Sequence, residues 1–166
     1  MRDAARQLSA QPHEPTAPCD INQVLRRMVR IARTLVPPGV RIAERYAPFE
    51  HAGADLPEFH QVVLHLILDA AQALGGCGTI DVASRRVDGD VQVSISDTRA
   101  FAPSGWGLMA PLLGAGGRGH EESESLGLLM AGDFAEEHGG HVSCARSPSG
   151  GNCVTITFPL ASQALA

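Results

Sequence analysis

The segment from Gln61 to Leu74 most constrains the fold, because its apolar residues recur at helical spacing. Such spacing predicts an amphipathic helix, beginning near Pro57, whose apolar face must be covered by a sheet or another helix. The polar stripe on the other face has little charge, so it is either an ordinary solvated surface or the wall of a site. The predicted buried residues are Phe59, Val62, Val63, Leu66, Ala70, Ala73 and Leu74, and the polar stripe consists of Glu58, Gln61, His65, Asp69 and Gln72.

Composition limits the class of protein. A chain of 166 residues with 44% hydrophobic and 19% charged residues is typical of one globular domain with a sizeable core. No apolar run approaches the roughly 20 residues of a membrane span, and the N-terminus has no apolar export signal, so we predict a cytoplasmic protein. A net charge of −5 disfavours a nucleic-acid partner. The cysteines show no CxxC spacing, which favours free thiols over a zinc site.

The N-terminal third is predicted to contain a leader, a helix and a strand. Three prolines among residues 1–19 indicate a flexible leader, after which Asp20 is placed to cap a helix. Pro37 and Pro38 end that helix, and the alternating segment from Val40 to Tyr46 predicts a strand. The apolar face predicted for the helix is Val24, Leu25, Met28, Ile31, Ala32 and Leu35.

The remaining elements follow from alternation and turn residues. Two alternating segments, TIDVASRRV and DVQVSISDT, flank Asp88-Gly89 and predict a β-hairpin. A glycine-rich polar segment, 114–124, predicts a mobile loop, and a helix capped by Ser123 or Ser125 then runs from Leu126 to Glu137. Two final alternating strands, HVSCARS and NCVTITFPL, complete the order.

This order predicts an α+β fold in two layers. A mixed, mostly antiparallel sheet of about five strands is expected to carry three main helices on one face. The predicted domain covers residues 20–161, and residues 162–166 form a tail. Without further information, an unrelated α/β sandwich with these elements is an alternative.

Three segments carry a resemblance to a known family. They are QVVLHLILDAAQAL, VQVSISDT and the C-terminal EEHGGHVSCARSPSGGNCVTITFPL. In this order they resemble the N box, the strand before the first glycine box and the closing segment of the ATP-binding domain of bacterial sensor histidine kinases, in the GHKL superfamily. The resemblance extends from about Asp20 to Leu160. It implies the Bergerat ATPase fold, ATP and Mg²⁺ as cofactors, and a response regulator or a histidine kinase or phosphotransfer protein as partner.

The resemblance also implies functions for individual residues. Asp97 matches the family's aspartate that accepts a hydrogen bond from the adenine amino group. His65 and Asp69 stand where the family has asparagines, and Asp69, whose carboxylate suits Mg²⁺, is the expected metal ligand. No catalytic residue is assigned. The implied nucleotide-binding residues are Asp97, His65, Asp69, Thr98, Arg99, Arg118, Leu126 and Gly127.

Both glycine boxes depart from the family pattern. The first, Asp-x-Gly-x-Gly in the family, is 97–101 here and contains no glycine, so Arg99 either obstructs the pocket or pairs with a phosphate. The second, 123–128, keeps only Gly127. The 114–124 segment matches the family's ATP lid, and Arg118 is its one residue able to pair with a phosphate.

These departures imply a histidine-kinase-like ATPase domain with weak or lost kinase activity that acts through protein partners. No autophosphorylation hairpin is expected before Asp20. Two alternatives remain open from the residues. One is a nucleotide-independent docking or phosphotransfer module for a response regulator, and the other is a stand-alone serine kinase of the anti-sigma type.

Overall fold

The computed structural model of the chain describes residues 20–48, 57–99 and 125–159. The predicted leader, tail and 114–124 loop lie outside these residues, and with them Arg118. Within the described residues, three helices and five strands occur in the order α1, β1, α2, β2, β3, α3, β4 and β5. The helices are α1 (Ile21–Leu35), α2 (Pro57–Ala73) and α3 (Leu126–Glu137), and the strands are β1 (Gly39–Tyr46), β2 (Cys77–Val87), β3 (Asp90–Asp97), β4 (His141–Arg146) and β5 (Asn152–Pro159).

The strands form one mixed sheet in the order β1-β2-β3-β5-β4. Only β1 and β2 pair in parallel, because α2 connects them, whereas the other neighbours are antiparallel. The β2–β3 hairpin turns at Asp88 and Gly89, both with positive φ, as a two-residue turn between twisted strands requires. The α+β fold, the mixed five-stranded sheet and the three helices predicted from the sequence are confirmed.

The hydrophobic core lies between the sheet and the helices. Along β3 every second residue is buried, so one face of the strand points into the core. Phe59 of α2, Phe134 of α3 and Phe158 of β5 meet there, with ring centroids 5.3 to 5.5 Å apart. The two helices that carry half of the predicted nucleotide-binding residues are therefore anchored to the sheet and to each other by one aromatic cluster.

The predicted apolar face of α1 is wrong at two positions. Ile31 is 38% exposed and Leu35 is 58% exposed, while Val29, which was not predicted, is fully buried. Leu35 is the last residue of the helix and lines an open cavity of about 420 Å³ on the α1 side of α2. The buried arc of α1 ends at Ala32, one turn earlier than the sequence pattern predicts.

A buried polar contact fixes α1 on the sheet. Asn22 donates from Nδ2 to the carbonyl of Ala47, at 2.6 Å, and its Oδ1 accepts from the Ser84 hydroxyl, also at 2.6 Å. Both polar ends of the amide are thus satisfied inside the protein. No helix within the described residues is long and apolar enough to cross a membrane.

Candidate functional site

Asp97, the last residue of β3, has a buried carboxylate, with 2% of the residue exposed. Its Oδ1 accepts a 2.9 Å hydrogen bond from the backbone N–H of Arg99. The backbone and side-chain nitrogens of Asn152 lie 3.4 and 3.5 Å from the same oxygen. Because β5 begins at Asn152 and pairs with β3, the sheet itself positions these two residues. We call Asp97, Arg99 and Asn152 the carboxylate pocket.

Two buried polar atoms in the carboxylate pocket have no hydrogen-bond partner among the described residues. Asn152 is 2% exposed, and its buried Oδ1 has no hydrogen-bond partner among the described residues. The same holds for Nε of Arg99, whose Nη2 lies 3.7 Å from Oδ2 of Asp97. A buried polar atom without a partner is costly, so a ligand able to donate to Asn152 and Asp97 fits this end of the site.

Gly151 allows the carboxylate pocket to close. A Cβ at this position would overlap the backbone carbonyl oxygen of Asp97 and come within 2.9 Å of the carbonyl oxygen of Arg99. Only glycine therefore fits between β5 and the end of β3 here. Sequence reasoning missed Gly151 and Asn152 as site residues. The glycine pair directly before a final strand was the signal that pointed to a close backbone approach.

Thr98 takes no part in the hydrogen bonds of the Asp97 carboxylate. Its hydroxyl accepts from the backbone N–H of Thr79 at 3.0 Å, and its own N–H donates to the carbonyl of Thr79 at 3.1 Å. These two bonds extend the pairing of β2 with β3 by one residue. Thr98 is exposed, so the structure assigns it a role in the hairpin and leaves its predicted ligand contact a prediction.

Asp69 of α2 is held against the start of α3. Its Oδ2 accepts from the Ser125 hydroxyl at 2.5 Å and from the backbone N–H of Gly127 at 3.0 Å. Ser125 is the N-cap predicted as one of two candidates, and its hydroxyl oxygen accepts from the N–H of Leu128 at 3.2 Å. One carboxylate and one hydroxyl thus satisfy two of the N-terminal amides of α3. We call Asp69, Ser125 and Gly127 the helix-cap cluster.

Gly127 lets α3 approach α2 closely. The residue is buried, and a Cβ there would come within 2.7 Å of Asp69 Oδ2 and 2.8 Å of the backbone nitrogen of Leu66. The neighbouring Leu126 is 55% exposed, so it does not take part in this packing. His65 is half-buried, with Nδ1 2.9 Å from the carbonyl oxygen of Gln61 one turn earlier in α2. That contact occupies one ring nitrogen within the helix.

The residues predicted to bind nucleotide thus form two separate groups in the hydrogen-bond network of the described residues. Asp97 and Arg99 belong to the carboxylate pocket, whereas Asp69 and Gly127 belong to the helix-cap cluster. Thr98, His65 and Leu126 lie beside these groups without joining their hydrogen bonds, and Arg118 is outside the described residues. The cavity beside α1 includes only Gln72 of the polar stripe.

The predicted magnesium ligand is already engaged. Asp69 uses one carboxylate oxygen for two protein donors, and no group of three or more potential ligands occurs among the described residues. Histidine nitrogen is a poor ligand for Mg²⁺, which prefers oxygen, so His65 does not complete a site. Mg²⁺ usually takes only one or two protein carboxylates together with phosphates and waters, so Asp69 stays a predicted ligand through the oxygen, Oδ1, that neither donor uses.

Comparison with known proteins identifies the class. Residues 54–162 match the family described as histidine kinase-, DNA gyrase B-, and HSP90-like ATPase, and the chain belongs to this family. The GHKL resemblance found in the sequence is therefore confirmed. Sensor histidine kinase ZraS of Klebsiella oxytoca is 34% identical over 115 residues, which are 66% of this chain and 24% of ZraS. The chain thus spans about a quarter of the length of this relative.

Solved structures share the fold. The mycobacterial sensor histidine kinase MprB superposes with a TM-score of 0.67 at 18% identity, covering 87% of this chain and 98% of that one. Histidine kinase ThkA, in complex with the response regulator protein TrrA, superposes with a TM-score of 0.66 at 16% identity. That match covers 86% of this chain and 41% of the ThkA chain.

Proposed function

We propose that the chain is a histidine-kinase-type ATPase domain that recognises adenine but holds the phosphates of the nucleotide poorly. Its kinase activity is then weak or lost, and it acts through protein contacts in two-component signalling. The observation that carries this proposal is the difference between the two groups. The carboxylate pocket has a buried acceptor without a partner among the described residues, Asn152 Oδ1, whereas in the helix-cap cluster Oδ2 of Asp69 is paired with the Ser125 hydroxyl and the Gly127 amide.

Adenine suits the carboxylate pocket chemically. Its exocyclic amino group is a hydrogen-bond donor, and Asp97 and Asn152 Oδ1 are acceptors at the junction of β3 and β5. Guanine presents a carbonyl at the equivalent position. Its oxygen and the Asp97 carboxylate are both acceptors, so no hydrogen bond could form between them. Because a mismatch that leaves buried polar groups unpaired is costly, this end of the site favours adenine.

Calorimetric titration with ATP, with and without magnesium, tests the proposal. We expect weak binding to the full chain and a loss of at least about tenfold in affinity in Asp97→Asn, which places a donor where the adenine amino group needs an acceptor. Asp81→Asn is the matched control, because Asp81 is a carboxylate on the neighbouring strand β2, 3.4 Å from Arg45. Unchanged affinity in Asp97→Asn, or no binding at millimolar ATP, would overturn the adenine assignment.

A docking module for a response regulator is the second candidate. The paired helix-cap cluster favours it, because a domain that satisfies the start of α3 with its own carboxylate can serve as a binding surface without nucleotide. The ThkA structure with TrrA shows that a domain of this fold occurs in such a complex. Fluorescence anisotropy with labelled receiver domains, measured with and without ATP, separates the two candidates. A nucleotide-independent docking module predicts the same affinity for the receiver domain in both conditions, whereas an ATP-binding domain predicts different affinities.

Several sequence predictions remain proposals. The residue range 20–161, the cytoplasmic location and the absence of nucleic-acid partners belong here. The anti-sigma-type serine kinase gains no support from the site, because a kinase must hold the transferred phosphoryl group and the Gly127 and Leu128 amides are already paired. Incubation with labelled ATP and candidate partner proteins would reveal phosphate transfer to histidine or to serine.

A further inference from the structure

We infer that Asp69 is an internal anion at the start of α3, which shifts the ligand preference of the site away from polyphosphates and towards the nucleoside portion. This inference rests on the proposed function and specifies the ligand class of the same site. It assigns Asp69 the role of a specificity-determining residue in place of the predicted metal ligand.

The hydrogen bonds of the helix-cap cluster carry the argument. The first amides of a helix lack partners within the helix and carry a partial positive charge, so they attract anions. Here the Gly127 amide is taken by the Asp69 carboxylate, and the Leu128 amide is taken by the Ser125 hydroxyl. The Ser125 hydroxyl in turn donates to the same Asp69 oxygen at 2.5 Å. The anion that these groups favour is already present in the chain.

The packing of α3 on α2 brings the backbone of Gly127 directly against the Asp69 carboxylate. Gly127 brings the two backbones so close that a single added carbon would lie within 3.0 Å of Asp69, Leu66 and His65. A phosphate group entering at this point must therefore displace the Asp69 carboxylate from both donors. It would also meet a like charge at short range in a partly desolvated place, where repulsion is stronger than in water.

The substitution Asp69→Asn removes the negative charge of the side chain but keeps its shape. The asparagine side chain has nearly the same size as aspartate and keeps a carbonyl oxygen that can accept from Gly127 and Ser125. The negative charge is lost, so phosphate no longer meets a like charge. Asp133→Asn is the matched control, because Asp133 is exposed on the same helix α3 and its substitution changes the net charge equally.

The first experiment measures the affinities of adenosine and of ATP for the full chain by calorimetry, in wild type, Asp69→Asn and Asp133→Asn. The ratio of the two affinities isolates the phosphate contribution. We expect Asp69→Asn to shift this ratio towards ATP by at least about tenfold and Asp133→Asn to leave it unchanged. An unchanged ratio in Asp69→Asn, with adenosine still bound, overturns the inference and leaves the proposed function intact.

A second experiment does not depend on adenine. Inorganic tripolyphosphate is added to the same three proteins, and the shift in Tm is measured at constant ionic strength. We expect stabilisation of Asp69→Asn alone, because ligand binding to the native state raises its stability. Equal shifts in all three proteins overturn the inference. If adenosine and ATP both fail to bind while tripolyphosphate stabilises Asp69→Asn alone, the proposed adenine recognition fails and the role of Asp69 stands.

Discussion

The two ends of the candidate site satisfy their carboxylates to different degrees. Asp97 is almost completely buried and accepts one 2.9 Å hydrogen bond from the Arg99 N–H, but the two Asn152 donors lie 3.4 and 3.5 Å away and Asn152 Oδ1 has no partner among the described residues. Asp69 is only half-buried, yet its donors lie at 2.5 and 3.0 Å. Burial alone therefore does not show whether a carboxylate is available to a ligand. The lengths of its internal hydrogen bonds, and the unpartnered polar atoms beside it, are the better guide.

The difference follows from what positions each carboxylate. Asp97 sits at the end of a strand, where the ladder with β5 fixes the backbone and leaves the side chains of the next residues to adjust. Asp69 lies on a helix face directed at the amides of another helix, which favour a negative charge. The first arrangement leaves Asn152 Oδ1 without a partner among the described residues, and the second pairs a carboxylate oxygen with two donors at the start of α3.

The largest expected effect is at the carboxylate pocket. In Gly151→Ala the new methyl group would overlap the backbone of Asp97, so β5 and the end of β3 must separate. We expect a loss of about 3 kcal/mol in the free energy of unfolding, measured by urea denaturation. Gly150→Ala is the control. A Cβ at Gly150 would make only an ordinary contact with Arg146 Nη2, at 3.9 Å, but φ is +95°, so the cost should be only about 1 kcal/mol. Equal losses would show that the close approach is not needed.

The next effect concerns the helix-cap cluster. Asp69→Ala removes the acceptor shared by Ser125 and Gly127, and we expect a loss of about 2 kcal/mol in unfolding free energy. Asp69→Asn retains an acceptor and should lose clearly less. A pair of variants with the same stability as wild type would mean that the short hydrogen bonds contribute nothing to folding, and the contrast between the two ends would disappear.

A smaller effect tests whether Arg99 restricts the carboxylate pocket. Its guanidinium lies 3.7 Å from Asp97 and competes with a ligand donor, so Arg99→Ala should raise ATP affinity about threefold. Arg86→Ala, at an exposed position on β2, controls for the loss of one positive charge. A fall in affinity for Arg99→Ala alone would support the other interpretation in the sequence analysis, namely pairing of Arg99 with a phosphate.

The smallest expected effect is a change in the reactivity of the Cys144 thiol, which lies on β4 where it pairs with β5. Burial, and then the neighbouring Cys153, raises the pKa of Cys144 to about 11. Since the thiolate is the reactive form, alkylation of Cys144 at pH 8 should be slow and should accelerate as the pH rises towards 11. Peptide mass spectrometry distinguishes it from exposed Cys77, which should react first. In Gly151→Ala, Cys144 should be alkylated faster if the substitution also loosens the pairing of β4 with β5. An unchanged alkylation rate would show that the structural change is confined to the end of β3.

Much of the fold was predictable because its signals are local. Asp88 and Gly89 adopt the positive φ values that the hairpin prediction requires, and Ser125 caps α3 as one of the two serines considered. The alternation in β3 matches its buried face. Leu35 was assigned wrongly because helical periodicity identifies a face but not where the covering partner ends.

The site was less predictable because its contacts join distant residues. The resemblance identified Asp97 and Asp69, but Asn152, 55 residues beyond Asp97, entered only when β5 paired with β3. The order of elements and their types were determined by the sequence alone, since periodicity, caps and turn residues act within a few positions. The partners of both carboxylates were decided by tertiary structure, because those of Asp69 lie 56 and 58 residues away and approach it only through the packing of α3 on α2.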